Sequence, residues 1–119
     1  MNTGWDLSEV VDTVLQFRSD RDWGQFHTPK NLAAGLAIEA AELQEIFLWE
    51  DNTATDEVLE DKPRVKAATE EIADIAIYLI IVANDLNINL KDAVKSKLDD
   101  NARRYPVEEY RGRTDKAPH

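Results

Sequence analysis

The 119-residue chain contains no cysteine. Disulfides and thiolate chemistry are therefore excluded, and one common mark of a secreted domain is missing. No basic stretch followed by an apolar run opens the sequence, so no signal peptide is expected. The longest apolar run, residues 72–83, is shorter than the ~20 residues a bilayer span requires, and Asp74 interrupts it. A soluble cytoplasmic protein is the expectation. Positive charge is scarce: 14 Lys and Arg stand against 24 Asp and Glu, a formal net charge of −10. Such a surface repels a polynucleotide backbone, which argues against DNA or RNA polymers as partners. A small anionic substrate would need a metal or a local basic cluster. Glycine and proline occur only four times each, and there is little alternation of the kind strands show. The periodicity is helical nearly throughout.

The helices can be placed from their caps and apolar faces. Asp6 or Ser8 caps a first helix, with Leu7, Val10, Val11, Val14, Leu15 and Phe17 along one side, ending near Asp22. A short aromatic connection, residues 23–27, follows. Thr28-Pro29 reads as an N-cap with proline at the first helical position, opening a second helix to about Trp49. Residues 50–62 form a polar, acidic connection with one helical turn after Thr55. It is long for a helix–helix loop, which favours a functional segment. Pro63 opens a third helix to about Leu86, and Asn89 caps a fourth that ends near Arg104, because Pro106 cannot continue it. The fold class is all-α: four main helices, packed antiparallel, in one domain over residues 1–106. A polar tail, loosely held, is expected over residues 107–119. The third helix is apolar almost all round from residue 72 to 83 and must be covered on most sides. A chain of this size can hardly do that alone, so an oligomeric helical bundle is expected.

Acids stand where core residues would be expected. On the second helix Leu32, Leu36, Leu43 and Ile46 line one face, with Glu39 in its middle and Glu42 at its edge. On the third, Glu71 and Asp74 sit at the same spacing. Burying an ionised carboxylate costs several kcal/mol or more unless its charge is met, so Asp74 in its apolar run has a partner or a use. Residues three apart share a helix face. Packing the two faces together assembles four carboxylates, which repel strongly at low effective dielectric. Mg²⁺ converts that liability into an all-oxygen site with room for waters and phosphates. A single ExxE pair is nearly always a solvated helix face; two pairs on apolar faces are much less easily explained that way. A di-iron bundle usually needs Glu-x-x-His pairs, and neither His27 nor His119 lies three residues after a Glu.

Glu39-Ala-Ala-Glu42 and Glu71-Ile-Ala-Asp74 resemble the acid signature of the MazG-like all-α nucleoside triphosphate pyrophosphohydrolases. The similarity is greatest to the branch that holds the dCTP pyrophosphatases. It extends through Asp22-Trp-Gly-Gln-Phe-His-Thr-Pro-Lys-Asn-Leu32, Phe47-Leu-Trp49, Ile77-Tyr-Leu79 and Ser96-Lys-Leu-Asp-Asp-Asn-Ala-Arg-Arg-Tyr-Pro106. It implies Mg²⁺-dependent hydrolysis of a (deoxy)nucleoside triphosphate, with dCTP or a 5-modified dCTP favoured, to the monophosphate and pyrophosphate. Glu39, Glu42, Glu71 and Asp74 would hold the metal, and Glu39 or Glu42 would activate the water. Trp23, Trp49 and Tyr78 would form a base pocket with His27 beside it. Lys97 and Asn101 would contact phosphates and sugar, with Arg104 a lesser candidate on the same face. The implied role is nucleotide-pool house-cleaning by a homotetramer, a dimer of dimers. The loop over residues 50–62 is too acidic to cover a triphosphate itself, so any closure would use Trp49 and Lys62. The competing expectation is a non-catalytic helical interaction module whose acids are salt-bridged across an interface.

Overall fold

The computed structural model describes residues 4–49, 51 and 54–118. Among these residues six α-helices follow one another: α1 Ser8–Asp20, α2 Pro29–Phe47, α3 Thr55–Val58, α4 Lys62–Asp85, α5 Leu90–Arg104 and α6 Val107–Tyr110. A 3₁₀ turn, Trp23–Phe26, joins α1 to α2. No strand occurs among the described residues. Of the 50–62 connection, residues 50, 52 and 53 lie outside the described set.

The expected caps form at α2 and α5, whereas at α1 neither Asp6 nor Ser8 is the cap: Leu7 holds that position and makes no side-chain cap. Thr28 accepts a hydrogen bond from the Asn31 N–H and Pro29 takes the first position of α2, where its missing donor costs nothing. Asn89 accepts from the Asp92 N–H at the start of α5. At α1 the Asp6 carboxylate accepts from the Ser8 N–H at 3.2 Å. Two residues between helices take left-handed backbone, Asp22 with φ 51° and Asn87 with φ 55°. Asp and Asn are the side chains that tolerate this region best.

The chain divides into two compact units, Met1–Asp85 and Leu86–His119. The first is built on α2 and α4. Glu39 and Glu42 meet Glu71, whereas Gly35, one turn earlier on α2, meets Tyr78, two turns later on α4. That inverse order makes the pair antiparallel. Leu32, Ile81 and Ala83 are its buried apolar residues. A bidentate ion pair ties α1 to the end of α4: Arg18 donates to both oxygens of Asp85 at 2.7 and 2.9 Å.

The apolar run of α4 is covered only in part. Ile72 and Ile77 are 54% and 41% exposed, and Asp74 between them is exposed as well. Within this chain, then, Asp74 does not pay the burial cost that its apolar neighbours suggest. It lies between Glu71 and Tyr78 on the side of α4 that meets α2, and is exposed because it opens onto a cavity there.

In the second unit residues 107–118 make contacts that a loosely held polar tail would lack. They begin with the turn α6, where Tyr110 packs edge-on against Tyr105 at 4.9 Å. Ala117 is buried, its N–H donates to the Tyr105 hydroxyl, and its carbonyl accepts from Arg104.

Candidate functional site

Two helix faces bring three carboxylates together. Glu39 and Glu42 from α2 and Glu71 from α4 each offer an oxygen, and these oxygens lie within 4.8 Å of one another. Glu39 and Glu71 are half-buried, and Glu42 is exposed. The Glu71 carboxyl is pushed up to about 7, chiefly because it shares a proton with Glu39, then through loss of water and the nearness of Glu42. Two carboxylates close by disfavour the charged form of Glu71. Once ionised, Glu39 Oε2 and Glu71 Oε2 are buried with no hydrogen-bond partner. Buried acceptors without donors are costly, and a cation would remove that cost. The donor set is oxygen alone, which suits a hard divalent ion such as Mg²⁺. The fourth predicted acid, Asp74, is not part of this cluster; it lines an adjoining cavity together with Glu39.

That cavity has a volume of about 290 Å³, at the small end of the range for ligand pockets. Its apolar wall comes from Val14, Phe17, Trp23, Ile77 and Ile81. Its polar groups are Arg18, His27, Glu39, Asp74 and Tyr78. Trp23 stands edge-on to Phe17 with ring centroids 5.7 Å apart. His27 is half-buried and its Nδ1 is without a partner. Gly35 sets the place of Tyr78: a Cβ there would fall 2.6 Å from the phenol ring. Only glycine lets the ring lie this close to the α2 backbone.

Three of the four residues expected in a base pocket therefore share one cavity. The fourth, Trp49, lies just past α2, is 87% exposed and does not line it. Lys97, Asn101 and Arg104 lie on α5 in the second unit. Their spacing puts them on one helix face. Lys97 is exposed and Asn101 half-buried, while Arg104 reaches the Ala117 carbonyl and leaves its buried Nε unpaired.

Two contributors escape a reading of the sequence. Arg18 lines the cavity, but its pairing with a residue 67 positions away leaves no local trace. Its one signal is a cation directly after the apolar stripe of α1. Gly35 reads as an ordinary weak point in a helix until the ring packed on it is known.

A model of the MazG-like family matches residues 35–117. The chain is 40% identical over 106 residues to dCTP pyrophosphatase 1 of Mus musculus, an alignment covering 89% of this chain and 62% of the mouse protein. The human protein of the same name is 40% identical over 103 residues, covering 85% of this chain and 59% of its own length. The chain thus spans about three-fifths of the curated relatives it matches. A crystal structure of a pyrophosphatase from Archaeoglobus fulgidus superposes with a TM-score of 0.75 at 41% identity, covering 89% of this chain and 97% of that one. With its acids on two antiparallel helices and a match over most of its length, the chain belongs to the MazG-like family.

Proposed function

We propose that the protein hydrolyses (deoxy)nucleoside triphosphates to the monophosphate and pyrophosphate, using Mg²⁺ and favouring dCTP or a 5-modified dCTP. The observation that carries this reading is the acid cluster: buried oxygens of Glu39 and Glu71 lack partners beside a cavity lined by Trp23 and Tyr78. The names of the mammalian relatives and of the archaeal pyrophosphatase point to the same chemistry.

Glu39, Glu42 and Glu71 would hold the metal, with Asp74 as a further ligand at the cavity edge. When bound, Mg²⁺ supplies neutralisation of phosphate charge, the larger part of what phosphoryl transfer demands. Glu39 or Glu42 orients the attacking water and takes its proton. One water is consumed, the bridge between the α and β phosphates breaks, and pyrophosphate leaves. Trp23 and Tyr78 bound the base, His27 lies beside it, and base–aromatic stacking contributes roughly 1–3 kcal/mol. Trp49, free past the end of α2, closes on the base. For Lys97, Asn101 and Arg104, assignment to phosphate and sugar rests on the sequence resemblance and their shared row along α5. The open apolar side of α4 at Ile72 and Ile77 favours assembly, with a homotetramer of two dimers the expected form. Among the described residues no helix is long and apolar enough to cross a membrane. A cytoplasmic house-cleaning role fits this reading.

Product analysis tests the reading directly. Incubation with each common (d)NTP, with and without Mg²⁺, should yield monophosphate and pyrophosphate only with metal. Diphosphate and orthophosphate would overturn the bond assignment. No turnover of any common or 5-modified nucleotide would favour the interaction module.

A further inference from the structure

The cavity has two chemically different ends. Asp74 and Asp85 lie on the same helix, eleven residues apart, which is about 16 Å along α4 at 1.5 Å per residue. Glu39 and Asp74 mark one end; Arg18, tied to Asp85, belongs to the other. A nucleotide with its phosphates at the acid end therefore sends its base towards Arg18.

Arg18 is not built to hold a phosphate. Asp85 already neutralises it through two charge-assisted hydrogen bonds of 2.7 and 2.9 Å. The same contacts fix the guanidinium plane. Arginine has five N–H donors, and Asp85 takes two, one from each terminal nitrogen. The remaining three, on Nε and on both terminal nitrogens, have no partner among the described residues. They form a rigid fork without net charge, in a cavity whose other wall is apolar and aromatic. Such a fork suits a neutral ring edge carrying two adjacent acceptors.

Resting on the pyrophosphohydrolase reading above, we infer that Arg18, held by Asp85, is a specificity-determining residue that reads adjacent acceptors on the base. Cytosine presents N3 beside O2, and guanine presents O6 beside N7. Thymine and uracil interpose an N–H between their carbonyls. Adenine sets a donor beside its N7 and N1 acceptors. Arg18 thus separates cytosine and guanine from the other bases, and the small cavity then favours the pyrimidine. A lysine cannot replace it, because an ammonium lacks the planar fork.

Two measurements test this. The first leaves the protein unaltered: compare kcat/KM for dCTP and for 3-deaza-dCTP, in which a C–H replaces N3. Loss of one acceptor should lower kcat/KM roughly 10- to 100-fold, as for a disrupted bidentate base contact. Equal efficiency would overturn the inference. The second uses Arg18→Gln and Arg18→Lys, with folding checked by circular dichroism. The ratio of kcat/KM for dCTP to that for dTTP should fall about 10-fold or more in both, and dCTP and 3-deaza-dCTP should become nearly equivalent. An equal fall for every dNTP would mean that Arg18 only ties α1 to α4 or holds phosphate, and would overturn it. If dGTP loses as much as dCTP, the fork reads any adjacent acceptor pair, as inferred. If the unaltered protein turns over no triphosphate, both readings fall. If it turns over dCTP but its preference ignores Arg18, only this one does.

Discussion

Within the first unit, the two ends of one cavity handle charge in opposite ways. At the Asp85 end an acid meets an arginine, both side chains are three-quarters or more covered, and every carboxylate oxygen has a donor. At the Glu71 end three acids meet one another, and two buried oxygens have none. The first arrangement is complete as it stands. The second is stable only with a proton or a cation added. Pairing within the chain thus distinguishes charges that serve structure and orientation from charges that await a ligand.

The largest break in this comparison should come from the acid end. Glu42→Gln or Asp74→Asn should lower turnover by about 10²–10³-fold, the scale set by removing one preorganised electrostatic contact. Helicity by circular dichroism should remain, since both residues are exposed. Undiminished turnover in either variant would remove that residue from the metal site.

Ligand addition should sharpen the same contrast. At Mg²⁺ and nucleotide concentrations about 100-fold above Kd, mass action adds roughly 2.7 kcal/mol, read as a rise of several degrees in Tm. pH should act with a definite sign. Glu71 is raised from 4.5 to about 7 in the folded chain. A raised carboxyl contributes stability that is full below its unfolded pKa and is lost as pH rises through the folded value. Metal-free protein should therefore lose Tm between about pH 5 and pH 8, and Mg²⁺ should flatten that decline. A metal-free Tm that climbs over this range would contradict the crowded-acid description.

Between the two ends, Gly35→Ala should destabilise by about 1–3 kcal/mol in urea unfolding, because the new methyl meets the Tyr78 ring rather than space. The higher helix propensity of alanine offsets at most about 1 kcal/mol of this. Displacing Tyr78 should also raise KM more than it lowers kcat. A stabilised variant would show that the ring moves freely.

The smallest effect belongs to the paired end. Asp85→Asn should cost about 1 kcal/mol, as for a partly exposed ion pair. Asp85 is held below the usual carboxylate range, chiefly by the hydrogen bond from Arg18. Its contribution is present above the unfolded pKa and vanishes as pH falls through the folded one. The cost of the substitution should accordingly be seen at neutral pH and fade in acid.

What could be read without the structure follows from local rules. Thr28-Pro29 and Asn89 mark helix starts because a cap needs only its own next turn. The i, i+3 acids could be paired in advance because helical geometry places them on one face before anything packs. Tertiary placement was less legible. Spacing groups Asp74 with the three glutamates, but it does not tell that Asp74 stands outside their cluster and shares the adjoining cavity with Glu39. Trp49 was placed with Trp23 and Tyr78 by the resemblance, yet within this chain it stands exposed.

By itself, then, the sequence determined the four long helices, their approximate limits, and the appearance of four acids on two apolar faces, all consequences of periodicity and capping over a few residues. Only the tertiary structure decided which oxygens lack partners, that Tyr78 rests on Gly35, and that Arg18 is neutralised by Asp85. Each of these depends on how far apart two helices lie and how they are turned, and no spacing along one helix encodes a distance to another.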